Sequence, residues 1–119
     1  MNCDTCDVLL IEDEFLIAMD IKMRLEEAGY TIKGPAASVE EGMAFLDEGM
    51  VCAAILDINI RGSSSLAIAD RLVGEGIPFM FLSGNDTYRP EDRFAGKTVL
   101  TKPIDYDKVL EELAGIHGS

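Results

Sequence analysis

Uninterrupted apolar runs at three places in the chain predict strands that are buried on both faces. They are residues 8–11, 53–56 and 79–82. A strand inside a parallel sheet shows no polar side, because helices cover both of its faces. Residues 31–33 give a weaker strand pattern, which is typical of a sheet edge, and residues 98–101 predict a last short strand.

Between these strands the apolar residues recur every three or four positions, which predicts helices. The four predicted helices cover residues 14–28, 38–49, 66–73 and 106–116. Ser38 followed by Glu41 is a capping-box pattern, which starts the second helix. Residues 61–65 are small and polar and predict a loop, whereas residues 85–96, which contain Pro90, allow only a short helix or an irregular loop.

The alternation of strands and helices predicts a single α/β domain. Right-handed crossovers then place helices on both faces of a parallel sheet. We expect a doubly wound (βα)5 domain of the flavodoxin-like kind, with five parallel strands in the order 2-1-3-4-5. A length of 119 residues suits one domain, so we assign residues 1–119 to it, with a core over about 7–116 and no output domain.

Acidic residues dominate the charge of the chain and narrow the choice of partners. Asp and Glu number 22 against 10 Lys and Arg, which gives a net charge of −12. Nucleic acid or an anionic membrane surface would require a basic patch, so direct binding to either is not expected. The apolar runs are too short to span a membrane and the N-terminus lacks the basic region of a secretory signal, which favours a cytoplasmic protein.

Three cysteines are an odd number for a disulfide framework, and a cytosolic chain would keep them as thiols. Cys3 and Cys6 form an isolated C-x-x-C pair without the second pair of ligands that zinc would need, and their role stays open. Cys52 precedes an apolar run and is expected to be a small core residue.

Polar side chains follow four of the predicted strands, at the point where each strand ends. They are Glu12 and Asp13 after the first strand, Asp57 after the third, Ser83 after the fourth and Lys102 after the fifth. In an open α/β sheet, ligands bind beyond the carboxyl ends of the strands, where the strand order reverses. With the order 2-1-3-4-5 we expect these five side chains to converge on one pocket.

Three carboxylates in one pocket need a counter-charge. Two carboxylates about 4 Å apart repel each other by about 4 kcal/mol at an effective dielectric constant near 20. Lys102 alone cannot balance three of them, whereas Mg²⁺, which prefers oxygen ligands, can. An oxygen-rich metal site beside a lysine and a hydroxyl suits phosphoryl transfer, with a carboxylate as the candidate nucleophile.

Four short motifs, in their order and at their strand ends, resemble the receiver domain of bacterial two-component response regulators. They are LIEDE at residues 10–14, ILD at 55–57, FLSG at 81–84 and TKPI at 101–104. The resemblance covers about residues 7 to 116. Residues 78–84, with the sequence PFMFLSG, look like a subgroup of stand-alone alphaproteobacterial receivers that carry a Phe-x-x-Gly motif here and are tied to general stress phosphorelays.

The resemblance implies an acceptor and a metal site. Asp57 corresponds to the phospho-acceptor of the family. Glu12 and Asp13 correspond to the acidic pair that holds Mg²⁺, and Asp57 and the backbone carbonyl of Asn59 would complete the protein ligands.

The resemblance also implies a switch. Lys102 corresponds to the lysine that pairs with the acceptor and then with the phosphoryl group, and Ser83 to the hydroxyl that moves to bond a phosphoryl oxygen. Pro103 follows Lys102 as in the family, where a cis bond can shape the turn. Arg61 replaces the usual proline and Val99 replaces an aromatic switch residue, which puts the usual hydroxyl–aromatic coupling in doubt. The expected partner surface includes Ser83, Val99 and Pro103.

A receiver of this kind would be a signalling switch, with self-catalysed phosphoryl transfer and autodephosphorylation as its only chemistry. A histidine kinase or a histidine phosphotransfer protein would donate the phosphoryl group to Asp57. The output would be altered binding of a downstream protein, or onward relay of the phosphoryl group. Dimerisation through the last helix is left open.

Other functions remain for the same residues. The departures at Arg61 and Val99 favour a pseudo-receiver that binds partners without phosphorylation, although the intact set of site residues argues against it. A small aspartyl-phosphate phosphohydrolase would commonly place a second aspartate two residues after the nucleophile, where this chain has Asn59. An FMN carrier shares the topology, but the first loop is acidic where a phosphate cradle is needed.

Overall fold

A computed structural model describes residues 7–60, 63–84, 94 and 97–117. Its main sheet consists of β1 (Asp7–Ile11), β2 (Ile32–Ala36), β3 (Val51–Asp57), β6 (Phe79–Ser83) and β7 (Val99–Thr101). A separate two-stranded ladder consists of β4 (Asn59–Ile60) and β5 (Ser63–Ser64). The helices among the described residues are α1 (Phe15–Glu27), α2 (Val39–Glu48), α3 (Leu66–Glu75) and α4 (Tyr106–His117).

The five strands of the main sheet run parallel in the order β2-β1-β3-β6-β7. Counted along the chain without the short ladder, this is the order 2-1-3-4-5, so the predicted doubly wound, flavodoxin-like fold is confirmed. From β1 the chain continues to β2 at one edge of the sheet, whereas from β3 it continues to β6 and β7, towards the opposite edge. This reversal leaves a crevice beyond the carboxyl ends of these two central strands.

Successive residues of the central strands pack on opposite faces of the sheet, because side chains alternate along a strand. In β1, Leu9 and Ile11 join an apolar cluster with α2 and α3. Val8 and Leu10 join a second cluster, with α1 and α4. Both faces of the strand are therefore buried, which is the physical reason for the uninterrupted apolar runs in the sequence.

The capping box predicted at the start of α2 is present. The Ser38 hydroxyl accepts a hydrogen bond from the Glu41 N–H at 3.1 Å. The Glu41 carboxylate in turn accepts one from the Ala37 N–H at 2.7 Å, one residue before the position that this motif usually uses. The two bonds fix the beginning of the helix and the turn that leads into it.

Two predicted loops differ in outcome. Residues 61–65 were predicted as a loop, but Ser63 and Ser64 pair with β4 in an antiparallel ladder. Residues 85–93, 95 and 96 lie outside the described part of the chain, so the short helix or irregular loop expected there stays a prediction. Phe94 is described, is fully buried, and makes edge-to-face contacts with Phe79 and Phe81.

The expectation that every cysteine is a thiol is wrong for Cys52. Cys52 is disulfide-bonded, and its sulfur lies 3.6 Å from the backbone oxygen of Asp7 at the start of the sheet. Cys3 and Cys6 lie outside the described residues. Among the described residues, no helix has the length and apolar character needed to cross a membrane.

Candidate functional site

The carboxyl ends of four parallel strands place the predicted site residues around the crevice. Glu12 follows β1, Asp57 ends β3, Ser83 ends β6 and Lys102 follows β7. Backbone hydrogen bonds hold these ends together: the Lys102 N–H donates to the Ser83 carbonyl at 2.8 Å, and the Ile58 N–H donates to the Leu82 carbonyl at 3.0 Å.

The acidic residues come together as the sequence predicted. One carboxylate oxygen from each of Glu12, Asp13 and Asp57 lies within 4.8 Å of the other two. Glu12 and Asp57 are buried, with 1% and 6% of their surface exposed, whereas Asp13 is half-buried. Ionised carboxylates that are so close together and so little exposed to solvent repel one another strongly, because little water screens their charges.

Lys102 supplies a positive charge to this cluster. Its ammonium group donates a hydrogen bond to Asp57 Oδ2 at 2.7 Å and lies 3.0 Å from Glu12 Oε1. Partial burial disfavours the charged ammonium, but the hydrogen bond to Asp57 and the negative charges of Asp57 and Glu12 outweigh that effect and hold the pKa of Lys102 above its usual value. Lys102 therefore stays charged between two carboxylates.

The Glu12 carboxylate combines burial with few hydrogen bonds. Its Oε2 accepts a hydrogen bond from the Glu14 N–H at 3.1 Å. Its Oε1 is buried and, among the described residues, has no hydrogen-bond partner, although it lies in ion-pair range of the Lys102 ammonium at 3.0 Å. Burial raises the pKa of Glu12 from its usual 4.5 to about 7, against the lowering effects of the Glu14 N–H and of Lys102.

Stability without divalent metal is expected to fall as the pH rises from about 4.5 to about 7, because the folded Glu12 holds a proton that the unfolded chain releases in that interval. Urea unfolding in EDTA at about pH 5.5 and about pH 8 measures this, with Glu12→Gln for comparison. The wild-type protein should lose on the order of 2 kcal/mol more than the variant over that range. Equal losses in the two proteins would contradict the role given to Glu12.

The cluster fits a divalent cation. Among the described residues, three carboxylates within 4.8 Å of one another lie beside the single ammonium group of Lys102, and one buried oxygen of Glu12 has no hydrogen-bond partner. All the candidate ligands are oxygens, which suit Mg²⁺ or Ca²⁺ and do not suit zinc.

The short ladder leaves the backbone carbonyl of Asn59 without a hydrogen bond to the partner strand. Asn59 is opposite Ser64 in the short ladder, and the Ser65 N–H donates to the Ile58 carbonyl at 2.9 Å. Hydrogen-bonded pairs alternate along an antiparallel ladder, so the pair of Asn59 and Ser64 is the kind that exchanges no hydrogen bonds. The ladder therefore does not use the Asn59 carbonyl oxygen, which sits two residues after Asp57.

The remaining predicted residues lie on β6, on β7 and directly after β7. Ser83 is buried at the end of β6, with 4% of its surface exposed, and pairs with Thr101 of β7. Val99 is half-buried and pairs with Phe81. Pro103 is exposed and follows a cis peptide bond, as the resemblance suggested.

A groove of about 330 Å³ lies beside the cluster, between the first turn of α1 and the segment after β7. Leu16 forms part of one wall, and Lys102 and Ile104 form part of the other. The Tyr106 hydroxyl ties the walls together by donating a hydrogen bond to Asp20 at 2.6 Å. Burial and the Asp20 carboxylate raise the pKa of Tyr106 to about 12, so the hydroxyl keeps the proton that it donates.

Sequence reasoning missed two side chains near the site. Ser65 is completely buried and bonds the backbone at Asp57, and Tyr106 closes the groove from 86 residues away from its partner Asp20. A buried serine in a polar run carries no periodic signal, and a pairing so distant in the sequence has no local one.

Comparisons with known proteins agree with this geometry. The solution structure of SdrG from Sphingomonas melonis Fr1 is 36% identical, with a TM-score of 0.83 over 98% of each chain. TrrA from Thermotoga maritima, solved in complex with Mg²⁺-BeF, has the same fold, with a TM-score of 0.82 and 24% identity over 93% of this chain and 98% of that one. No family model matches the chain.

The fold and the cluster of side chains at the strand ends are those of a signalling domain. The chain belongs to the response regulator receiver domains of two-component systems. The Regulatory protein VanR of Enterococcus faecium is 29% identical over 103 residues, which is 82% of this chain and 43% of the relative. The chain thus spans less than half the length of that curated relative. Receiver domains act as signalling switches rather than as conventional enzymes.

Proposed function

We propose that Asp57 accepts a phosphoryl group from a phosphohistidine in a Mg²⁺-dependent reaction, and that the modified domain binds a protein partner differently or passes the group onward. The observation that carries this proposal is the Asp57 carboxylate itself, which lies 2.7 Å from the Lys102 ammonium and within 4.8 Å of the Glu12 and Asp13 carboxylates. A nucleophile, a cation and a set of metal ligands thus meet at one carboxyl edge of the sheet.

Each residue has a distinct part in the transfer. Glu12, Asp13, Asp57 and the Asn59 carbonyl would hold Mg²⁺, which when bound neutralises charge on the phosphoryl oxygens. An Asp57 carboxylate oxygen forms a bond to phosphorus as the bond from phosphorus to the donor imidazole nitrogen breaks. Lys102 then donates a hydrogen bond to a phosphoryl oxygen in place of its bond to the free carboxylate.

The switch would run through β6 and β7. The Ser83 hydroxyl donates to a second phosphoryl oxygen, and Ser83 is tied to Lys102 through the backbone. Movement of either residue shifts the end of β7 and the segment that holds Pro103, which lie at the surface. Because residue 99 is a valine, the change would reach a partner through this segment, without an aromatic side chain at that position.

A similar protein supports this proposal. SdrG, which is 36% identical to this chain, has also been solved in a BeF3-activated conformation, and that structure matches this one with a TM-score of 0.77. BeF3 resembles a phosphoryl group in shape and charge. The test is incubation of the protein with acetyl phosphate and MgCl2, followed by intact mass measurement. We expect a gain of one phosphoryl group that EDTA prevents and hydroxylamine removes. A protein that gains no mass, and still binds its partner, would instead be a pseudo-receiver.

The phosphodonor would dock beside the groove. Leu16 and Phe15 at the start of α1 are 80% and 70% exposed, although both are large and apolar, and Lys102 belongs both to the groove and to the acidic cluster. A helical histidine donor seated on this apolar surface would bring its imidazole over Asp57. Exposed apolar side chains around a reactive centre are typical of a protein-binding site.

Leu16→Ala is expected to slow phosphotransfer from a histidine kinase that phosphorylates the wild-type chain by about tenfold, because the variant removes apolar contact area with the donor. Phosphorylation by acetyl phosphate, which needs no docking, should not change. Met23→Ala is the matched control, since Met23 is 55% exposed on the same helix but outside the groove. Equal slowing with both donors, or with both variants, would contradict docking at Leu16.

A further inference from the structure

A buried hydroxyl holds the loop that follows the acceptor. Ser65 is 0% exposed, and its Oγ lies 2.6 Å from the backbone oxygen of Asp57 and 3.2 Å from that of Ile58. A hydroxyl has one hydrogen, so the shorter contact is the main hydrogen bond and the Asp57 carbonyl is its acceptor. The Ser65 N–H donates to the Ile58 carbonyl at 2.9 Å.

Ser65 does not serve as a cap of its own helix. It occupies the position just before α3, where a serine side chain usually accepts a hydrogen bond from the helix backbone, but its side chain makes no such bond. The Ser64 hydroxyl accepts the hydrogen bond from the Leu66 N–H instead, at 3.1 Å. The contacts of the Ser65 hydroxyl are therefore with the acceptor loop, which we define as the backbone of residues 57–59.

These bonds fix the backbone on both sides of Ile58. The Ile58 N–H is held by the Leu82 carbonyl of β6, and the carbonyls of Asp57 and Ile58 are held by Ser65. The next carbonyl along the chain is that of Asn59, which the short ladder does not use. The Ser65 hydroxyl thus orients the peptide group that follows Asp57, and the Ser65 N–H orients the next peptide group, which leads to Asn59.

We propose that Ser65 is a positioning residue for the Asp57 site, whose hydroxyl aligns two of the oxygen ligands of the divalent cation and thereby raises both cation affinity and the rate of phosphoryl acceptance. The proposal rests on the proposed function, because it concerns the same carboxylate. Groups that orient metal ligands commonly change metal affinity by tenfold or more when they are removed.

The test compares Ser65→Ala with Ser64→Ala, which deletes the neighbouring exposed hydroxyl and removes a cap but no contact with the acceptor loop. Calorimetric titration with MgCl2 should give a dissociation constant about tenfold higher for Ser65→Ala and unchanged for Ser64→Ala. With acetyl phosphate as donor, Ser65→Ala should need about tenfold more MgCl2 for half-maximal phosphorylation. Both variants are compared at a temperature where circular dichroism shows them folded.

A merely structural role would lower the melting temperature of Ser65→Ala and leave its Mg²⁺ dissociation constant at the wild-type value, and that result would overturn the proposal. Ser65→Cys, whose thiol fills similar space and donates weakly, should show a smaller loss of affinity, and it serves if the alanine variant does not fold. If the alanine variant does not fold, wild-type affinity in Ser65→Cys would overturn the proposal. A wild-type protein that neither binds Mg²⁺ nor gains a phosphoryl group would refute the proposed function itself.

Discussion

Replacing Asp57 by asparagine is expected to abolish phosphorylation by acetyl phosphate, with a loss of at least about a hundredfold in rate. An amide oxygen is a far weaker nucleophile than a carboxylate oxygen, and no other side chain in the cluster lies so close to Lys102, at 2.7 Å from its ammonium. The variant should stay folded, because the substitution removes one of the negative charges that raise the pKa of Glu12. Intact mass and phosphate-affinity electrophoresis measure the loss.

Asp105→Asn is the matched control for this substitution. The Asp105 carboxylate accepts hydrogen bonds from the N–H groups of Asp107 and Lys108 at the start of α4, and asparagine can accept the same bonds. The control should be phosphorylated at the wild-type rate. If Asp57→Asn still gained a phosphoryl group, the acceptor would be another carboxylate, and Asp13 would be the first to examine.

The strand ends are the part of the site that the sequence could predict. Each central strand contains an uninterrupted apolar run, because helices cover both faces, and the first polar residue after that run therefore marks where the strand ends. Glu12, Asp57 and Lys102 could be assigned to one crevice because the carboxyl ends of parallel strands meet at the same edge. Their convergence is a consequence of strand order, which the alternation of elements predicts.

The parts that the sequence could not predict depend on contacts without a local pattern. The ladder of Asn59 with Ser64 is two residues long on each side, too short to show an alternation of apolar and polar residues. Ser65 looks like its exposed neighbour Ser64 in the sequence, and only the packing of α3 against the sheet separates a buried hydroxyl from a helix cap. The disulfide at Cys52 likewise depends on distant parts of the chain, which spacing alone does not reveal.

Lys102→Met is expected to lower stability and the rate of phosphorylation but to raise the affinity for Mg²⁺, and together these effects test the electrostatics of the site. Without the ammonium, the buried Glu12 and Asp57 carboxylates lose their counter-charge, and unpairing a buried charge typically costs about 3 kcal/mol of stability. Phosphorylation by acetyl phosphate should fall by about a hundredfold, because no ammonium remains to hold the transferred oxygens. Affinity for Mg²⁺ should rise, because the cation no longer competes with a fixed positive charge for the same carboxylates.

Urea unfolding with and without MgCl2 separates these effects. Added Mg²⁺ should stabilise Lys102→Met by more than it stabilises the wild-type protein, since a ligand stabilises the folded state in proportion to its affinity. Lys108→Met is the control. Lys108 is exposed on α4, so this substitution removes a positive charge outside the acidic cluster. If Mg²⁺ bound more weakly to Lys102→Met than to the wild type, Lys102 would be organising the carboxylates rather than competing with the cation. The balance of charge argued for Glu12 and Asp57 would then have to be abandoned.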